Sequence, residues 1–171
     1  MKSLVIRKTN INSLILLLLT FISIASPMAV HYLGLDGKEF LPIFFALSLG
    51  AYILNPVFLI LLSVISPLIN YFLTNMPMPP TLYFLIFEGI IFSAIVLFFR
   101  NKNVSFILLT LFAFIFSRFS SVILTFIFDV SIDSWFRGLL GGYKGIIVNF
   151  VFSVLMYFIF KEKNIKYIIN E

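Results

Sequence analysis

The stretch Thr81-Leu-Tyr-Phe-Leu-Ile-Phe-Glu88-Gly-Ile-Ile-Phe-Ser-Ala-Ile-Val-Leu-Phe-Phe99 decides how this chain is read. At roughly 1.5 Å of rise per residue, an unbroken apolar run of this length matches the hydrocarbon core of a bilayer, about 30 Å thick. It is interrupted by one acidic residue, Glu88. The same pattern recurs on both sides. Apolar runs at Ile11–Val30, Leu41–Leu54, Val57–Leu73, Thr81–Phe99, Ser105–Phe128 and Ile146–Phe160 predict an all-α integral membrane protein with six transmembrane helices, the last approached through Gly138–Gly145. The second run is short, and a re-entrant hairpin is its alternative. Asn55-Pro56 supplies the turn after it, since proline has no backbone N–H to continue the preceding helix.

Composition agrees with this reading. Of 171 residues, 61% are hydrophobic and 11% charged, against about 25% charged in soluble domains. Six spans of about 20 residues take up most of the chain, so residues 1–171 are read as a single membrane domain. The chain has no Cys, which excludes disulfides, thiolate metal sites and cysteine nucleophiles. No Gly-rich turn ends in Gly-Lys-Ser/Thr, so the chain carries no phosphate-binding loop for ATP.

The net charge of +5 is accounted for by topology. Lys2, Arg7, Lys8, Arg100, Lys102, Lys161, Lys163 and Lys166 fall on one side of the six spans, and Lys38, Arg137 and Lys144 on the other. By the positive-inside rule both termini are cytoplasmic. No basic stripe with interleaved aromatics supports nucleic-acid binding. The first span also has the basic start and small residues of a signal peptide, and is expected to be retained as a helix.

Two charges lie inside spans. A charged side chain near mid-bilayer costs on the order of 3 kcal/mol even on permissive scales, so it needs a partner or a purpose. Glu88 comes eight residues after Pro80 and Arg118 ten before Phe128, which places them about 12 and 15 Å deep. Asn149, seven residues past Gly142, falls about 10 Å deep. The three are expected to converge as the floor of an outward-facing cavity for a small polar molecule. The alternative is an ion pair that only fixes helix packing.

Three outward loops surround that level. His31–Phe40 carries two glycines and reads as a flap; Asn75-Met-Pro-Met-Pro-Pro80 reads as a stiff, extended link with adaptable Met76 and Met78; Asp129–Gly145 holds the single Trp. His31, Asn75, Met76 and Trp135 therefore join Glu88, Arg118 and Asn149 as candidate substrate-binding residues. Trp135 reads first as an interfacial anchor, with ligand stacking as the alternative. Catalysis has little to build on. His31 is the only His, so a metal site or His-based triad lacks partners. Asp129 and Asp133 read as a solvated helix end, and no Ser sits in a Gly-x-Ser-x-Gly turn. The expectation is no enzyme, no metal and no cofactor.

The order of motifs carries a resemblance. His31-Tyr-Leu-Gly-Leu-Asp-Gly, Leu41-Pro42, Gly50, Ser66-Pro67-Leu68, Leu73-Thr74-Asn75-Met76-Pro77, Glu88, Arg118 after Ser117, Gly142-Tyr-Lys-Gly145 and Asn149 together resemble the substrate-binding (S) components of energy-coupling factor (ECF) vitamin transporters. The resemblance covers most of the chain. Leu41-Pro42-Ile43-Phe44 stands where many such proteins read Leu-Pro-Met-His, and Asn75 stands where they carry Gly. It implies a multi-pass protein of a prokaryotic plasma membrane. Such a protein captures a vitamin or related micronutrient at the outer face and delivers it through a separate transmembrane coupling protein and two ABC ATPases.

Overall fold

The computed structural model describes residues 2–34, 41–100 and 105–162, and these residues form helices, turns and short links with no strand. In chain order the helices are α1 Lys2–Tyr32, α2 Ile43–Ile53, α3 Pro56–Thr74, α4 Thr81–Phe99, α5 Phe106–Ser120, α6 Ile123–Ile127, α7 Ile132–Gly141 and α8 Tyr143–Glu162. Four stretches are long and apolar enough to cross a membrane: Asn10–Tyr32, Pro56–Thr74, Thr81–Phe99 and Phe106–Ile127. A fifth results if α7 and α8, which meet at a 44° bend, count as one span. Leu14, Leu17 and Phe21 on α1, Phe72 on α3 and Phe126 on α6 point outward from the bundle, an arrangement that lipid solvates and water does not.

The second apolar run is not among the stretches long enough to cross a bilayer by length alone. α2 has 11 residues, about 16 Å at the helical rise, and it is the most buried element of the fold. Phe44, Ala46, Leu47 and Ala51 belong to the central core. The helix packs against α1, α3, α4 and α8. Its Phe44 ring meets Phe92 of α4 and Phe114 of α5 edge-on, at centroid distances of 6.1 and 4.7 Å, the favourable geometry for aromatic quadrupoles. Its far end is closed by Arg100, buried at the end of α4, whose Nη1 donates to the Leu54 carbonyl at 2.9 Å. A cation on the last carbonyls of a helix satisfies an orphan acceptor and the helix dipole together. Because α2 is surrounded by protein, its length is set by the core and not by the bilayer.

Local chemistry explains the other boundaries. Asn55 caps α3 by accepting from the Phe58 N–H at 3.1 Å, with Pro56 in the first turn, where its missing N–H costs nothing. The helix ends at Asn75, left-handed at φ 54°, whose N–H returns to the Tyr71 carbonyl. The fifth run is broken into α5 and α6 at Ser121–Val122. Around the break, Ser117, Ser120, Ser121 and Thr125 each donate a hydroxyl to the carbonyl three residues earlier, which competes with the regular ladder. Ser131 caps α7 by accepting from the Ser134 N–H. The exposed Asp133 pairs with Arg137 one turn on, so this carboxylate occupies the solvated helix end expected of it. The Gly138–Gly145 segment is thus part of two helices and not a simple lead into one.

α4 lies between α3 and α5, and its approach to α3 depends on Gly89. A Cβ added there would sit 3.0 Å from the Ser63 Cβ and 3.3 Å from the Ser63 carbonyl. With Ser93 one turn on and fully buried, this is a small-residue seam of the kind that lets membrane helices touch. Gly89→Val is expected to destabilise the protein by about 1–3 kcal/mol through overpacking, measured as a lower melting temperature in detergent. Gly141→Ala, whose new Cβ would meet nothing within 4 Å, should leave that temperature unchanged.

Candidate functional site

One end of the bundle is hollow. The last turn of α1, the first turn of α2, the end of α3, the start of α4 and the inner face of α7 enclose a cavity of about 890 Å3. Its polar lining includes Glu88 and Arg118, which the spans carry to it from opposite directions. Arg118 Nη1 donates to both carboxylate oxygens of Glu88, at 2.9 Å to Oε2 and 3.2 Å to Oε1. The Glu88 side chain is 2% exposed and that of Arg118 12%, so only the guanidinium keeps appreciable contact with the open space. Charge-assisted pairing of this kind is what makes two ionised groups tolerable at low dielectric.

The pair also holds α7. Arg118 Nη2 donates to the Gly138 carbonyl at 3.2 Å. Trp135 Nε1 donates to Ser121 Oγ at 3.1 Å, and Ser121 in turn donates to the Arg118 carbonyl at 2.7 Å. Gly142, at the bend between α7 and α8, makes room for this. A Cβ there would lie 3.2 Å from Leu41 Cδ1 and 3.3 Å from Arg118 Nη2. A side chain at this position would push the guanidinium away from its carbonyl.

Of the seven residues that the sequence singles out, Glu88, Arg118, His31, Met76 and Trp135 line the cavity. Trp135 is half-buried and edge-on to Phe119; its Nε1 is held by Ser121 and its ring borders the cavity.

Asn149 does not join them. It lies on α8 against α2 and α5, where it borders a separate void of about 10 Å3 with Ser48, Thr110 and Ser153. Its Nδ2 donates to the Gly145 carbonyl at 2.9 Å and its Oδ1 is buried without a protein partner. The Phe44–Phe114 ring pair stands between the two spaces, Phe44 on the cavity side and Phe114 on the void side. Asn149 sits at the level of Ser48 and Thr110, the latter about two turns further into the bundle than Arg118, so a count of residues from the loop does not bring it to the ion pair. Asn75 is also outside the lining. Its contribution is the left-handed turn that ends α3 and presents its neighbours Thr74 and Met76 to the cavity.

The Pro-rich link carries cis Met76–Pro77 and Pro79–Pro80 bonds. Its end is a turn and not an extended strap, since the Leu82 N–H donates to the Met78 carbonyl and the Tyr83 N–H to that of Pro80. Within the flap segment His31–Phe40, residues 35–40 lie outside the described residues. So do Lys38, Lys102, Lys163 and Lys166 of the charge count.

Sequence reasoning passed over Asn70. It stands inside the apolar run Val57–Leu73, as Asn149 stands inside Ile146–Phe160, and it lines the cavity while buried to 2% exposure. Its signal was the same as that of Asn149: an amide within an apolar span. No match to the chain is found among protein-family models, curated proteins or solved structures.

Removing one member of the Glu88–Arg118 pair leaves the other buried and uncompensated. Arg118→Ala is expected to cost about 3–5 kcal/mol, read as a lower melting temperature. The double variant Glu88→Gln, Arg118→Leu, which removes both charges, should recover most of that loss.

Proposed function

We propose that this chain is the membrane-embedded substrate-binding subunit of an ECF-type importer. It captures a vitamin-like or related small molecule at the outer face and hands it to a separate coupling protein driven by two cytoplasmic ABC ATPases. The observation that carries this reading is the cavity itself, which α7 borders through Ser134, Trp135, Gly138 and Leu139 and which the buried Glu88–Arg118 pair lines. Ligand pockets are typically apolar hollows of about 300–1,000 Å3 with a few convergent polar groups, and intramembrane ionisable residues are functional by default expectation. Several residues of the motifs that carry the resemblance, His31, Leu41-Pro42, Thr74, Met76-Pro77, Glu88 and Arg118, line this cavity, whereas Gly50 and Asn149 lie away from it.

The topology belongs to the proposal. α2 begins at the cavity and ends at Leu54, beside Arg100 at the opposite end of α4. It therefore runs the length of the core although it is short. Counting it with α1, α3, α4, α5–α6 and α8 makes six passes, an even number that leaves both termini on one side, and the Lys and Arg excess near those ends assigns that side to the cytoplasm of a prokaryotic cell. The protein binds and delivers; it performs no chemistry on its cargo and needs no cofactor of its own. The absence of Cys makes the topology directly measurable. With single-cysteine variants in cells, Asn75→Cys should react with an impermeant maleimide from outside. Lys2→Cys and Lys166→Cys should react only after permeabilisation.

The binding reading is tested by native mass spectrometry of the purified protein. A small molecule should accompany the wild type or be taken up from a vitamin panel with sub-micromolar affinity. It should be lost in Glu88→Ala, Trp135→Ala and retained in Asn149→Ala. A wild-type protein that binds none of the panel removes the proposal.

A second reading, a structural or assembly membrane protein, is favoured by one observation: both Glu88 oxygens are already satisfied by Arg118. It expects Glu88→Arg with Arg118→Glu to preserve stability and function alike, whereas the importer reading expects the exchange to abolish binding.

A further inference from the structure

Asn70 holds an unusual position for a buried amide. The two hydrogens of its Nδ2 go to the Ser23 carbonyl of α1 and the Ser66 carbonyl of α3, each at 3.0 Å. That leaves Nδ2 no donor to offer a ligand and fixes the orientation of the amide, with its N–H edge against the helices and Oδ1 facing the other way. Asn70 nonetheless lines the cavity. The Thr74 hydroxyl one turn on is turned back to the Asn70 carbonyl at 2.7 Å, so it does not compete for the cavity. What Asn70 offers to an occupant is an acceptor alone.

The charged floor complements it. A guanidinium has five N–H groups, and Arg118 commits Nη1 to Glu88 and Nη2 to the Gly138 carbonyl. Donors therefore remain on its exposed edge. Glu88 and Arg118 cancel each other, and among the described residues no other Asp, Glu, Lys or Arg lines the cavity. His31, the remaining ionisable lining group apart from these two, is exposed. The walls are soft and aromatic, with Met28, Met76, Met78, Phe44, Phe84 and Trp135, which suits the face and edge of a ring.

We propose that the occupant is an uncharged aromatic compound bearing a hydrogen-bond donor for Asn70 Oδ1 and an acceptor for Arg118, and that Asn70 sets this specificity. The proposal rests on the cavity being the binding site. Its physical basis is asymmetry: a buried acceptor stripped of water and given no donor is costly. A site built around such a group rejects analogues that lack the donor far more strongly than it rejects small changes in apolar shape. Among the described residues, a charged occupant would surrender its hydration and meet no lining charge that is not already paired.

Trp135, the single Trp, reports binding by its own fluorescence. Four probes built on one phenyl ring separate the terms: benzamide, N,N-dimethylbenzamide, benzoate and benzamidinium, titrated at millimolar concentrations into the wild-type protein. Benzamide should bind most tightly, and loss of its N–H donors in N,N-dimethylbenzamide should weaken binding about ten-fold. In Asn70→Leu the two amides should bind alike. In Asn70→Asp, with a carboxylate in place, preference should move to benzamidinium. The wild-type comparison decides the matter even where a variant fails to fold. Equal affinity for the two amides, with a saturable Trp135 response, overturns the role of Asn70 while leaving the cavity as the binding site. Tightest binding of benzoate or benzamidinium to the wild type overturns the uncharged class. No saturable response to any of the four overturns the proposal. The cavity reading then stands or falls separately, on the co-purified molecule.

Discussion

A single ion pair organises the hollow end of this protein. Glu88 and Arg118 are largely withdrawn from solvent, and each makes the other tolerable at low dielectric. Arg118 does more than neutralise. Its second nitrogen reaches the Gly138 carbonyl, and its own carbonyl receives Ser121, which in turn holds Trp135. One side chain therefore sets the distance between α4 and α5 and the seat of α7 above them. Gly142 belongs to the same arrangement because a Cβ there would crowd Leu41 and the guanidinium, at 3.2 and 3.3 Å. The cavity is what remains once these contacts are made.

Away from this end, several polar groups are satisfied within the helices. Ser63 and Thr110 donate to carbonyls of their own helices, Arg100 closes α2, and Gly89 lets α3 and α4 meet. The contrast between Asn70 and Asn149 shows what separates a lining amide from a packing amide. Both are buried, and both give Nδ2 to a carbonyl. Asn70 stands on the cavity side of the Phe44 layer and Asn149 on the far side, beside a void of about 10 Å3. Their chemistry is the same, and the aromatic layer between them assigns their roles.

Much of this was legible in the chain. The long apolar runs became helices, the meeting of Glu88 with Arg118 followed from counting residues inward, and His31, Met76 and Trp135 came to the cavity because loops at one end of a bundle share it. The differences have several causes. A count of residues from a loop does not say which neighbours a side chain meets once helices pack, so Asn149 reads as floor and Asn70 does not. Asn75 was read as a contact when its left-handed backbone, ending α3, is its contribution. α2 was measured against the bilayer when its environment is protein. The break between α5 and α6 depended on which hydroxyls turn back onto carbonyls, a choice that neighbouring packing makes.

The sequence by itself determined that this is a helical membrane chain with a buried charge pair and a Pro-, Gly- and Trp-bearing end. Hydropathy, run length and turn residues act over a few neighbouring positions, and no distant contact is needed to express them. Only the tertiary structure decided which polar groups face the cavity, that α2 is core, and that α7 is latched onto Arg118. Those outcomes depend on the angular facing of helices and on contacts between residues far apart in the chain, and both are settled only when the helices pack.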